Sequence, residues 1–240
     1  MPDLARFSES DVAVYGEEVG KLAAESASME EAADKIVRHL RDSLTDEEGG
    51  RACALVRFYK THAYGDLDRE LQGFAQGVLG HAPESLDMKC LTLLGTVGEK
   101  EEWNSRQLSA GHKAIPLPSA HFVSQIPMIS RLVSQFGLEV QAMIRPDPSL
   151  IVDLEQKSYN AFHVPEAVGS PYIPAQEEFV IPYGVRSVLG FGGVFKTGDL
   201  FAVILFSKTP ISRETSDRFK SLAVSVKEAT QPFLDGRVLA

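Results

Sequence analysis

Apolar positions recur at helical spacing near both ends of the chain and at strand spacing between them. Val12, Tyr15, Val19 and Leu22 alternate three and four apart, which predicts a helix over residues 9–24 with the narrow seam of a helix pair. Ser28 followed by Glu31 is a capping box. It opens a second helix whose stripe is Met29, Ala32, Ala33, Ile36, Val37, Leu40 and Leu44. Residues 46–50, Asp-Glu-Glu-Gly-Gly, break the chain. A strand is predicted over 52–60. A helix follows over 66–79, with Leu67, Leu71, Phe74 and Val78 on one face and Gly80 as its stop. A second strand is expected over 89–97 and a loop over 98–118. Ser119 then caps a helical stretch that Pro127 either kinks or restarts. Residues 139–144 read as a short strand, and Arg145-Pro146-Asp147-Pro148 as a break. Prolines at 165, 171, 174 and 182 mark another irregular segment.

The last quarter is the most legible. Strands are predicted over 179–182, 185–195 and Leu200–Ser207, the last two joined by the turn Lys196-Thr197-Gly198-Asp199. Both long runs are rich in β-branched and aromatic residues, and the turn offers a residue for positive φ. Gly190, Gly192 and Gly193 inside the first run mark a bulge or a close backbone approach, by a neighbouring strand or by a ligand. A closing helix starts at the N-cap Ser212. It buries Phe219, Leu222, Ala223, Val226, Thr230 and Phe233, and Pro232 marks its end.

Two helices, two strands, a long excursion, a strand hairpin and a terminal helix make an order that resembles a GAF-type domain. The segment FVIPYGVRSVLGFGGVFKTGDLFAVILFSKTPISRETSDRFKSLAVSVKEAT, from Phe179 to Thr230, is most similar to that family. AFHVPEAVGSPYIPAQEEFVIPYGVRSVLGFGG also resembles N-terminal sensor regions of bacterial signalling proteins such as histidine kinases. The resemblance implies an α+β fold: an antiparallel sheet flanked by N- and C-terminal helices, with an insertion at about 98–178 over one face. It divides the chain into an N-terminal helix, residues 1–27, and a sensor domain, residues 28–240. It implies a cytoplasmic, non-catalytic, small-molecule sensor that dimerises through residues 9–24 and 212–233. It also implies that a histidine kinase or other output module receives the signal, within a longer chain or as a separate partner. No cyclic-nucleotide, bilin-attachment or haem-ligating pattern of the family maps onto the excursion, so the cofactor is unknown.

Composition narrows the classes. The chain has 240 residues, 44% of them hydrophobic, and a net charge of −9 without a Lys/Arg cluster. That balance argues against nucleic acid as a partner. No apolar run reaches membrane-spanning length, and the N-terminus lacks the pattern of a secretory signal. Reduced thiols are therefore expected at Cys53 and Cys90. If their strands are neighbours, the two cysteines offer an alternative function, a thiol redox enzyme or sensor like the GAF-type reductases of free methionine sulfoxide. A protein-interaction domain without a ligand is the third reading.

The six histidines show no helical ligand spacing and no Cys-x-x-Cys occurs, so a zinc site is not expected. His163, between Phe162 and Val164, is the best placed for a haem axis or ligand contact, against the simpler reading of a packed, hydrogen-bonded ring. Glu177 and Glu178 are adjacent, and on a strand would face opposite ways. The remaining polar and aromatic residues gather in two loops: Trp103, Asn104, Arg106 and His112 in one, His163, Glu166, Tyr172 and Glu177 in the other. These eight are the expected ligand-binding set. They enclose a pocket if both loops cover the same sheet face, and otherwise form a lid over the core.

Overall fold

The computed structural model describes residues 1–145, 160–235 and 238–239. The Pro146–Pro148 part of the expected chain break lies outside them. Six antiparallel strands form one sheet in the order β3-β2-β1-β6-β5-β4. They are β1 (Cys53–Ala63), β2 (Lys89–Gly98), β3 (Ala114–Pro116), β4 (Asn160–Val164), β5 (Ser187–Val194) and β6 (Leu200–Ser207). Helices α1 (Glu9–Ala24), α2 (Met29–Ser43) and α3 (Arg69–Leu79) precede or separate the early strands. The excursion contributes α4 (Ala120–Ser124), α5 (Pro127–Gln135) and α6 (Val140–Ile144), and α7 (Arg213–Thr230) closes the chain. The result is the α+β, GAF-like arrangement that the element order implies.

Helices α1, α2, α3, α4 and α7 begin where a side chain accepts from a free N–H group of the first turn. The hydroxyl of Ser8 accepts from the Asp11 amide at 3.3 Å, and Asp11 accepts from the Ser8 amide at 2.8 Å. Ser28 accepts from Glu31 N–H at 3.1 Å, while the Glu31 carboxylate reaches one residue further back than a capping box requires, to Ala27 N–H at 2.8 Å. Asp68 and Ser212 cap α3 and α7 in the same way. Pro127 restarts the helical stretch at the first position of α5 rather than kinking it.

The two faces of the sheet carry different cores. On one face α1, α2 and α7 pack over Val56, Phe58, Leu94, Phe191, Phe201 and Val203. Phe219 of α7 stacks on Phe7 at 4.7 Å and meets Phe191 at a tilt, 5.5 Å between ring centres. The apolar stripes of α1 and α7 are thus spent on each other and on the sheet within one chain. The other face carries Leu55, Tyr59, Leu91, Leu93, Phe162 and Ile204 under the excursion. The excursion is more than a cover, because β3 and β4 form the two edges of the sheet itself.

Several expected elements differ. Residues 139–144 form the helix α6 rather than a strand, since six residues, Glu-Val-Gln-Ala-Met-Ile, are too few to fix a period. Residues 179–182 belong to a π-helical turn, Gln176–Val180, and its continuation. Val180 N–H donates to Ala175 O at 3.1 Å and Ile181 N–H to Gln176 O at 3.0 Å. Pro182 has no N–H to give a ladder, and Phe179 turns its ring to Trp103 and Phe206. Val78 is exposed, because α3 buries Leu71 and Ala75 instead. The glycine-rich run in β5 contains no bulge: its register with β4 and β6 is unbroken. Gly192 permits a close approach, since a Cβ there would lie 2.1 Å from Phe201 O. The register shifts of the sheet lie elsewhere: Leu94 of β2 is the extra residue between Leu93, opposite Tyr59, and Gly95, opposite Phe58, and Ala54 of β1 is the extra residue between Cys53, opposite Ser207, and Leu55, opposite Phe206.

Candidate functional site

The excursion meets the second sheet face around a cavity of about 430 Å³. Strand alternation sends Leu55, Arg57 and Tyr59 of β1 into it, while Val56 and Phe58 point to the helices. Ala202, Ile204 and Phe206 of β6 continue the floor. Met128, Ile129 and Leu132 of α5 form one wall, and Ile173, Pro174, Ala175 and Phe179 another. The loop from Trp103 to His112 closes the rim, with Trp103 edge-on to Phe179 at 5.3 Å.

Against this apolar lining stands one polar cluster. Arg57 donates from Nη1 to the Tyr59 hydroxyl at 3.2 Å and from Nη2 to the Ser109 hydroxyl at 3.4 Å. Ser109 passes its own proton to Gly111 O at 3.1 Å. The Arg57 Nε is buried without a hydrogen-bond partner. His112 sits at the rim with φ of +62°, and crowding by protein atoms, then the Arg57 charge, lower its pKa below the ordinary histidine value.

The eight residues expected from sequence divide among several places. Trp103 and His112 line the cavity. Asn104 shapes the loop: it accepts from Gly98 N–H at 3.2 Å and donates to Lys100 O at 2.8 Å. Arg106 is ion-paired to Glu30 of α2 at 2.7 Å, so its charge anchors the loop and faces no ligand. His163 lies outside the cavity, with Nε2 2.8 Å from Ile211 O. Its burial lowers its pKa against the pull of that carbonyl, which is the packed-ring reading. Glu166 and Tyr172 border a separate shallow depression where the Arg131 guanidinium lies 5.1 Å from the Tyr172 ring. Glu177 and Glu178 are exposed on the π-helical turn.

Sequence reasoning missed Arg57, Tyr59 and Ser109. The first two carried a signal: Leu55-x-Arg57-x-Tyr59 places a cation on one face of an otherwise apolar run. Ser109 carried none, because the fold of its loop brings it there.

The cysteines do not meet. β1 and β2 are neighbours, but Cys90 lies opposite His62, nine positions along β1 from Cys53. At about 3.3 Å per residue that is roughly 30 Å, far beyond the reach of a disulfide. Both thiols are buried, and burial pushes each pKa up to about 12, away from reactive thiolate. Among the described residues no cluster of three or more His, Cys, Asp or Glu could hold a metal ion. No helix among them is long and apolar enough to cross a membrane.

No family model matches the sequence, and no curated protein matches it. Solved structures with a similar course of the chain include a free methionine-R-sulfoxide reductase from Neisseria meningitidis in complex with its substrate. It is 12% identical, with a TM-score of 0.48 over 95% of this chain and 92% of that one. The GAF domain of an Acinetobacter phosphoenolpyruvate-protein phosphotransferase is 12% identical, with a TM-score of 0.44 over 91% of each chain. The phycocyanobilin-bound GAF domain of a cyanobacterial phytochrome is 10% identical, with a TM-score of 0.43 over 92% of this chain and 94% of that one. Likeness of this degree concerns the course of the chain and says nothing of ligand or activity.

Proposed function

We propose that this chain is a non-catalytic sensory domain that binds one small molecule between its sheet and the excursion. The observation that carries the reading is the cavity of about 430 Å³, apolar over most of its wall, with Arg57, Tyr59, Ser109 and His112 gathered on one side. Ligand sites have this composition: a wide apolar lining for affinity and a few convergent polar groups for orientation. Among the described residues the lining holds no thiol, which favours ligand binding over thiol chemistry there. Transmission would run through the sheet. Alternate residues of β1 touch the cavity and the helical layer, so a displaced strand bears directly on α2 and, through it, on α1 and α7. A second copy of the chain or a histidine-kinase module would read that change at the outer faces of α1 and α7.

The test is native mass spectrometry of the purified protein, compared with its denatured mass. The expected result is a bound compound released on unfolding, and its absence from Ala202→Phe, which fills the cavity floor, at unchanged secondary structure. Overturning the reading takes a clean apo mass together with no thermal stabilisation by any compound of a metabolite library.

A further inference from the structure

We infer that the cavity is an anion site: its ligand is a small organic carboxylate whose negative head meets Arg57 and whose apolar body fills the space under α5. The inference rests on the cavity being a ligand site, and adds the chemistry of what enters. Arg57 is nine-tenths buried, yet among the described residues no carboxylate pairs with it. Three other buried cations of this chain are treated differently, while Arg41 has Asp42 at 4.0 Å and an unpartnered Nε of its own. Lys60 meets Asp199 at 3.1 Å, Arg106 meets Glu30 at 2.7 Å and Lys113 meets Glu70 at 2.7 Å.

Arg57 has only two neutral hydroxyls, at 3.2 and 3.4 Å, and its Nε has nothing. A buried charge without a counter-charge is costly and persists where something compensates it. A carboxylate that displaces the two long hydroxyl contacts would meet Nη1 and Nη2 of the planar guanidinium as a fork matched to its two oxygens. Tyr59 OH accepts from Arg57 and keeps its own proton to donate to the same head. The apolar body is bounded by volume. At about 30 Å³ per water-sized group, 430 Å³ holds roughly 14 such groups.

Trp103 is the single tryptophan of the chain and lies in the cavity wall, so its fluorescence reports occupancy. The probes are octanoate and 4-phenylbutanoate, each against its uncharged amide of equal size. In the wild-type protein the carboxylates are expected to bind about tenfold or more tighter than the amides. In Arg57→Met, which keeps the apolar stem, that preference should collapse while the amides bind as before. Arg57→Lys keeps the charge without the fork and should fall between. Equal binding of carboxylate and amide by the wild-type protein overturns the anion inference and leaves the cavity a ligand site. Binding of neither overturns the anion inference, and overturns the ligand-site reading as well only when the native mass and the thermal screen are also negative. The wild-type comparison decides the matter even if Arg57→Met fails to fold.

Discussion

On β1, His62 and Arg57 are buried side chains of one strand with different fates. Arg57 keeps its charge and, in our reading, awaits a ligand. His62 gives its charge up: burial, reinforced by the nearby Lys60, pushes its pKa down to about 3. The unfolded chain, with an ordinary histidine near pH 6.5, binds the proton more readily than the folded one. His62 therefore costs no stability above about pH 6.5, and stability falls as the pH drops from there toward 3. At pH 5 the expected loss from this residue is about 2 kcal/mol. Urea midpoints at pH 7.5 and pH 5 check it: the wild-type protein should lose more stability over that interval than His62→Phe. An equal loss in both would assign the acid sensitivity elsewhere. The strand position of Arg57 and its sheet face were readable from alternation alone. Its isolation from carboxylates was not, because that depends on which acidic residues Lys60, Arg106 and Lys113 have already engaged.

Element by element, the hairpin β5–β6 shows how a turn is pinned from outside. Gly198 supplies a φ of +81°, and Asp199 N–H and O belong to the turn and its closing bond. The Asp199 side chain reaches across to Lys60 at 3.1 Å and Lys89 at 2.8 Å, with Thr61 at 3.3 Å. Burial pushes its carboxyl up, but the two ammonium groups outweigh it and hold the pKa below the usual carboxylate range. Asp199→Asn would leave Lys60 buried without a counter-charge, at an expected cost of about 3–5 kcal/mol. Chemical denaturation of that variant, set beside Asp199→Asn combined with Lys60→Met, tests the account. The double variant should recover most of the loss, and a double variant as weak as the single one would contradict it. This hairpin was plain in sequence because β-branched runs and a glycine turn agree there. Residues 139–144 and 179–182 were misread for the opposite reason. Both stretches are too short to fix a period, and α6 and the π-helical turn are set by what they cover: Met143 and Ile144 pack into the second core, and Phe179 closes the cavity wall.

For the molecule as a whole, the sheet separates the excursion with its cavity from the helical layer. The helical layer includes the N-terminal segment, residues 1–27, which the family resemblance sets apart from the sensor domain. Leu4, Phe7, Val12, Tyr15 and Val19 are all buried in the core shared with α7 and the sheet. Phe7 lies between Tyr15, edge-on at 5.1 Å, and Phe219, stacked at 4.7 Å. Thr45 N–H donates to Pro2 O and Leu4 N–H to Thr45 O, tying the first residues to the end of α2. Burying one large apolar side chain contributes about 1.5–3 kcal/mol. Five of them together rival the roughly 5–15 kcal/mol by which a domain is stable at all. Deleting residues 1–24 should therefore abolish cooperative unfolding in a calorimetric scan, and Phe7→Ala alone should cost about 3–5 kcal/mol. A truncated chain that melts cooperatively within a few degrees of the intact one would mean the opposite: a domain complete without α1, and a helix free to move. If instead the core needs α1, a signal leaving the cavity has no detachable lever to pull. It must pass as a shift of β1 and β6 against the whole helical layer, with α1 and α7 moving as one packed pair.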